Sequence, residues 1–179
     1  MLSGIILQPG AWDKTEGLLD DVLLANNTMR QVASPVTIWT RGDNPIGSIH
    51  VTGLNATGVY RSAVSIDSWS DAPISNIFIR NANIEYAGGG KAEQSKQPVK
   101  GPGVDARPLP AWGLYARNVN QLTLEDVRFS LAKPDQRPVI LAENVQNLAL
   151  DNFRYPRVRG VDEPFVTNHV GQMTITARP

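Results

Sequence analysis

The sequence predicts an all-β fold: a right-handed parallel β-helix, or solenoid, of about six to seven coils with one long inserted loop. Three observations point there. An apolar pattern returns at nearly constant spacing, and a small polar residue keeps register with it at one bend. The 15 Gly and 13 Pro among 179 residues favour many short strands over a helical bundle.

The pattern starts at Val22, with Leu24 two residues on and Met29 seven on. It returns at Ile49, Val51 and Ala56, at Ile77, Ile79 and Ile84, at Leu122, Leu124 and Phe129, at Leu148, Leu150 and Tyr155, and weakly at Met173 and Ile175. Successive anchors lie 27, 28, 45, 26 and 25 residues apart, so every interval but one is near the length of a single coil. The long interval reads as a coil carrying an insertion, the glycine-rich and polar stretch at about 87–110. Four residues after each anchor stand Asn26, Gly53, Asn81, Asp126 and Asn152. Asn and Asp tolerate bent backbone, and stacked amides bond one another, so these positions read as a ladder at a common corner.

A third apolar pair follows in each coil: Val36 and Ile38, Val64 and Ile66, Leu114 and Ala116, Val139 and Leu141, Phe165 and Thr167. Each coil therefore has three short strands, with these residues pointing inward and their neighbours outward. A leucine-rich horseshoe would need a fixed leucine pattern and helical segments, and strands of a β-sandwich have no reason to keep a common period. Residues 1–179 read as one domain.

With 17 basic and 17 acidic side chains, no net field attracts nucleic acid or an anionic membrane. The absence of cysteine excludes disulfides and thiolate chemistry. Two isolated histidines and scattered acids offer no zinc-ligand spacing, so the sequence implies no cofactor and leaves a carbonyl-rich calcium site in a loop as the alternative. The opening MLSGIILQPGAW has neither the basic region nor the apolar length of a leader or a membrane span. It leaves two alternatives: a chain kept in the cytoplasm, or one whose natural N-terminus lies upstream in a secreted or periplasmic parent.

Segments such as PISNIFIRNANIEY, NQLTLEDVRFSLAKPDQRPVILAENV and QNLALDNFRY resemble the C-terminal coils of polygalacturonase-like pectin hydrolases, glycoside hydrolases built on a right-handed β-helix. The likeness spans nearly the whole chain and rests on the coil pattern. It implies three carboxylates in N-x-D and D-D motifs, a G-H-G motif and an R-x-K motif on one sheet. This chain has no suitable N-x-D and no R-x-K, and neither His50 nor His169 lies between glycines. Asp20 and Asp21 form a pair, but in LLDDVLL at the entry to an anchor strand, where a solvated turn explains them. The resemblance therefore implies coils that follow the catalytic ones.

The third strand corresponds to the groove-forming sheet of that family. Its outward residues are Thr37, Trp39 and Arg41, then Ser65, Asp67 and Trp69, then Tyr115 and Arg117, then Ile140 and Ala142, then Val166 and Asn168. Rings beside Arg and Asp suit a sugar, whose apolar face stacks while its hydroxyls or carboxylate take charge-assisted hydrogen bonds. The candidate ligand-binding residues are thus Trp39, Arg41, Trp69, Tyr115 and Arg117, with Tyr60 and Arg61 on the rim and the insertion as wall or lid. Asp67 is the candidate catalytic acid, with Asp43 and Asp105 the nearest partners by coil position. The competing reading has the rings covering their own sheet beneath the insertion, with Asp67 in a structural ion pair.

The expected function is a polysaccharide-recognising β-helix segment whose partner is an oligo- or polysaccharide, including acidic ones. A stand-alone carbohydrate-binding module, a small glycoside hydrolase with a rearranged acid pair and a structural solenoid remain as alternatives. Because terminal coils need caps, Ile5, Ile6 and Leu7 mark the N-terminal end as the one expected to join a homo-oligomer, whereas MTITARP ends on charge and proline.

Overall fold

A computed structural model describes residues 3–11, 15–101 and 106–178. The chain is an all-β, parallel β-solenoid of about 6 turns. Its strands are β1 (Ser3–Leu7), β2 (Val22–Ala25), β3 (Thr28–Arg30), β4 (Ser34–Thr40), β5 (Ser48–Thr52), β6 (Asn55–Val59), β7 (Val64–Ser68), β8 (Ile74–Tyr86), β9 (Leu114–Leu131), β10 (Ile140–Arg154) and β11 (Phe165–Arg178). The later strands are long because each runs around a corner and serves two or three faces.

The register reproduces the apolar repeat. Val22 pairs with Ile49, Ile49 with Ile77, Ile77 with Leu122, Leu122 with Leu148 and Leu148 with Met173. On the next face Met29, Ala56, Ile84 and Phe129 align in the same way. Stacking puts each inward side chain between equivalents one coil above and below. Ile49, Ile77 and Leu122 are accordingly 0% exposed.

The corner ladder is a backbone device. Asn26, Asn81, Asp126 and Asn152 have φ between 47° and 56°, and Gly53 has φ 65°. This left-handed region is open to Asn, Asp and Gly at low cost, which explains their recurrence. Asn152 Nδ2 donates to Asp126 Oδ1 at 2.6 Å. A second ladder, which the apolar repeat does not mark, turns the chain from the third face to the anchor face at Asn118, Asn144 and His169 (φ 55°, 51°, 54°). Asn144 Nδ2 donates to Asn118 Oδ1 at 2.8 Å, and Asn118 Nδ2 donates to the Ser68 carbonyl at 3.0 Å.

Within the core a run of rings follows the axis. Tyr86 lies 5.6 Å from Trp112 and 5.5 Å from Phe129, Phe129 lies 5.1 Å from Phe153, and Tyr155 lies 5.2 Å from Phe165. These edge-on pairings suit the ring quadrupoles.

One inward pair needs correction. Ile140 and Ala142, in register with Leu114 and Ala116, face the core, and Leu141 faces outward beside Tyr115. Val139 is also buried in the core, at the preceding corner. Val139, Ile140, Leu141 and Ala142 are all apolar and all buried, so alternation in the sequence does not tell the two faces apart.

Strand β1 pairs with β4, and Ile5 and Leu7 pack against the core. At the other end Met173 and Ile175 remain 42% and 38% exposed.

Candidate functional site

The third face orders β1, β4, β7, the start of β9, the start of β10 and the start of β11. Trp39 aligns with Asp67, Asp67 with Arg117 and Arg117 with Glu143, so one outward row carries an indole, a carboxylate, a guanidinium and a second carboxylate on successive coils. Ser65, Tyr115 and Leu141 form the adjacent row.

Asp67 is held from two sides. Its Oδ1 accepts from Arg117 Nε at 2.8 Å and its Oδ2 from Trp69 Nε1 at 2.5 Å. The Arg117 guanidinium lies 3.7 Å from the centre of the Trp69 ring, a cation–π contact that fixes its plane. Tyr115 is buried and donates its hydroxyl to Glu143 Oε2 at 2.7 Å. Burial pushes the Asp67 carboxyl up to about 6 against the pull of Arg117, and burial also raises the Tyr115 phenol.

The insertion lies over this face. It contains a short 3₁₀ helix, Ala92–Lys96, and is held at both ends. Gly90 N donates to Asp135 Oδ2 at 2.9 Å, and Arg137 Nη1 donates to the Leu109 carbonyl at 2.9 Å. Arg61 Nε donates to the Ala106 carbonyl at 2.7 Å. Leu109 and Ala111 pack with Ala63, Tyr115 and Leu141, with Val99 against them. The cover leaves a cleft of about 40 Å³ between Trp39, Asp67, Trp69 and the stretch of insertion from Val99 to Gly101. Trp39 is only 6% exposed, and its Nε1 has no hydrogen-bond partner among the described residues.

The structure thus brings Trp39, Asp67, Trp69, Arg117 and Tyr115 together on one face. Arg61 serves that face by bonding the insertion. Arg41 and Tyr60 are exposed and do not line the cleft, and Asp43 is exposed in the turn after β4. Asp105 lies outside the described residues. Asp20 is exposed and bonds across to the next coil, its Oδ1 accepting from Ser48 N at the start of β5 at 2.6 Å. Glu143 is the residue of this outward row that sequence reasoning missed. With the parity of β10 reversed, it would have followed as the outward residue two after Leu141.

The elevated Asp67 pKa makes stability depend on pH. An unfolded aspartate titrates near 4, so between about 4 and 6 the folded chain holds a proton that the unfolded chain has released. Stability should therefore fall as pH rises through that window, on the order of 2–3 kcal/mol from this group. Asp135 acts oppositely: burial raises its carboxyl but the Arg137 bonds outweigh that and lower it, so its contribution disappears only as pH drops below about 4. Urea midpoints taken at intervals from pH 3 to 7 should peak near pH 4, and Asp67→Asn should flatten the upper limb. An unchanged upper limb in the variant would mean that Asp67 is ionised throughout.

No family model matches the chain, and no curated protein or solved structure matches it either. The architecture is what the chain shows: a parallel β-solenoid of about 6 turns.

Proposed function

We propose that the chain is a saccharide-recognising β-helix whose binding site is the cleft between Trp39, Asp67, Trp69 and the overlying insertion. One observation carries this reading: a buried indole N–H without an acceptor stands in the same cleft as a carboxyl raised to about 6. A buried donor left unmet costs about 1–3 kcal/mol, and a sugar hydroxyl both accepts and donates. One hydroxyl placed there accepts from Trp39 Nε1 and donates to the Asp67 carboxylate. A volume of about 40 Å³ admits one water-sized group, so the rest of a sugar ring enters only as the Val99–Gly101 stretch lifts.

Binding without turnover is the form of this function that the charges favour. Asp67 is the one carboxylate among the described cleft-lining residues, and Arg117 occupies the position between it and Glu143. An acid and base flanking a glycosidic bond need that space for substrate and water. The resemblance to the coils that follow the catalytic ones in pectin hydrolases agrees with a binding role.

The test is calorimetric titration with a panel of neutral and acidic oligosaccharides, with reducing ends measured in parallel. Saturable binding without new reducing ends is expected, weakened about tenfold in Trp39→Phe, which keeps a smaller aromatic ring and removes the donor. Release of reducing ends that Asp67→Asn abolishes would turn the reading to a hydrolase. A folded protein that binds no saccharide in the panel would leave this face as sheet cover in a structural solenoid.

A further inference from the structure

The second face carries a feature that the cleft does not use. Arg128, Arg154 and Arg178 are aligned on three successive coils, Arg128 beside Arg154 and, after a one-residue bulge between Asp151 and Phe153, Arg154 beside Arg178. All three are exposed, and they alternate with the inward Val127, Phe129 and Phe153. Neighbouring coils are about 4.8 Å apart, so the three arginine positions form a line with that repeat along the backbone. Like charges directly opposite one another on a sheet destabilise it. Elsewhere on the surface the chain avoids this, as where Arg80 Nε meets Glu125 Oε2 at 2.9 Å on the adjoining face.

No ion pair relieves the line among the described residues. The nearest carboxylates along the strands are bonded to other groups. Asp126 Oδ1 accepts from Asn152 Nδ2 at 2.6 Å, and Asp151 Oδ1 accepts from Thr176 Oγ1 at 2.9 Å. Among the described residues Arg154 makes one long contact, Nε to Asn152 Oδ1 at 3.4 Å, and its terminal nitrogens have no partner there. The three arginines edge an open hollow of about 490 Å³ whose other walls include Phe129, Tyr155 and Pro156. Ring and pyrrolidine surfaces next to forked cationic donors form a combination for a ring that bears an oxyanion.

We infer that the Arg128–Arg154–Arg178 line is a second binding site, one that takes a linear glycan carrying an oxyanion, carboxylate or sulfate, on its sugars. The glycan runs parallel to the solenoid axis. Its anionic groups meet successive guanidinium forks, and a sugar ring lies against Tyr155 and Pro156. The site is one side chain wide and belongs to a chain of zero formal net charge, with Asp126 and Asp151 flanking it. That narrowness suits a single linear polymer better than a nucleic acid, which draws its affinity from a broad basic field. The inference does not depend on the cleft beneath the insertion, because none of these residues lines it.

The experiment is titration of the intact chain with an oligouronate, a sulfated oligosaccharide and a single-stranded oligonucleotide of equal charge, at about 50 and about 300 mM salt. Wild type should bind at least one of the glycans, more weakly at the higher salt and more tightly than the oligonucleotide. Arg154→Gln should weaken that binding about tenfold, and the triple Arg→Gln variant should abolish it. Arg80→Gln, which removes an arginine already paired, should bind as wild type does. Thermal stability of Arg154→Gln should stay level or rise as the like-charge contact is relieved. The proposal is overturned if no acidic glycan binds, if the triple variant binds as wild type does, or if the oligonucleotide binds more tightly. A clear drop in the melting temperature of Arg154→Gln would also overturn it, by showing that the line is structural. The uronate and sulfate arms identify which oxyanion the site takes.

Discussion

Replacing Arg137 with alanine is expected to cost the fold about 3–5 kcal/mol and to open the insertion to proteolysis. The Asp135 side chain is fully buried, and its two oxygens accept from Arg137 Nε at 2.9 Å, Arg137 Nη2 at 2.7 Å, Arg137 N at 3.1 Å and Gly90 N at 2.9 Å. The same guanidinium reaches the Leu109 carbonyl. One ion pair therefore holds both roots of a segment that the coil repeat does not hold. Removing the cation leaves a buried carboxylate with backbone donors alone, which is the costly way to break such a pair. The double variant Asp135→Ala/Arg137→Ala should recover part of the loss, because no unpaired charge remains. Urea unfolding combined with limited proteolysis would check this. A loss below about 1 kcal/mol, with cleavage between 91 and 101 unchanged, would show that packing of Leu109 and Ala111 holds the insertion without the pair.

Phe129→Ala should be about as damaging, at about 3–5 kcal/mol. The ring is 1% exposed and sits among Tyr86, Trp112 and Phe153, so truncation removes the middle of the axial run rather than one end. Relaxation into the gap is limited because the neighbours are tied. The Tyr86 hydroxyl donates to the Gly113 carbonyl at 2.7 Å, and Gly113 packs so tightly on Phe129 that a Cβ would come within 2.7 Å of the ring. Phe129→Leu, which keeps most of the volume, should cost clearly less. Equal losses in the two variants would mean that ring geometry, rather than filled volume, dominates this part of the core. The near-ultraviolet circular dichroism of Trp112 should fade in the alanine variant at temperatures where the far-ultraviolet strand signal persists.

The insertion also explains why a groove expected to be open is nearly closed. In the sequence, Trp39, Trp69 and Tyr115 are outward residues, and outward normally means exposed. The segment folds back over them, so that Asp67 is 4% and Tyr115 is 1% exposed. Bonds at its two roots, from Gly90 N to Asp135 and from Arg137 to the Leu109 carbonyl, keep the described part of the segment over this face.

The coil is legible in the residues alone: its period, its inward rows and its Asn, Asp and Gly corner. These features are legible because a solenoid uses each position identically on every turn. Burial therefore selects apolar residues at a fixed interval, and a left-handed corner selects the few residues that tolerate φ near 50°. The tertiary structure alone decided matters that a period does not carry. In the run from Val139 to Ala142 four apolar residues conceal the alternation, and only pairing with Leu114 and Ala116 places Leu141 and Glu143 outward. Asp135 and Arg137 lie two residues apart in a proline-flanked turn with no apolar pattern, and their importance comes from Gly90 and Leu109, 45 and 28 residues away. Arg128, Arg154 and Arg178 are isolated charges in the sequence and become a line only when three coils stack. In each case the contact runs between coils rather than along the chain, so its energy depends on a register that local residue preferences do not specify.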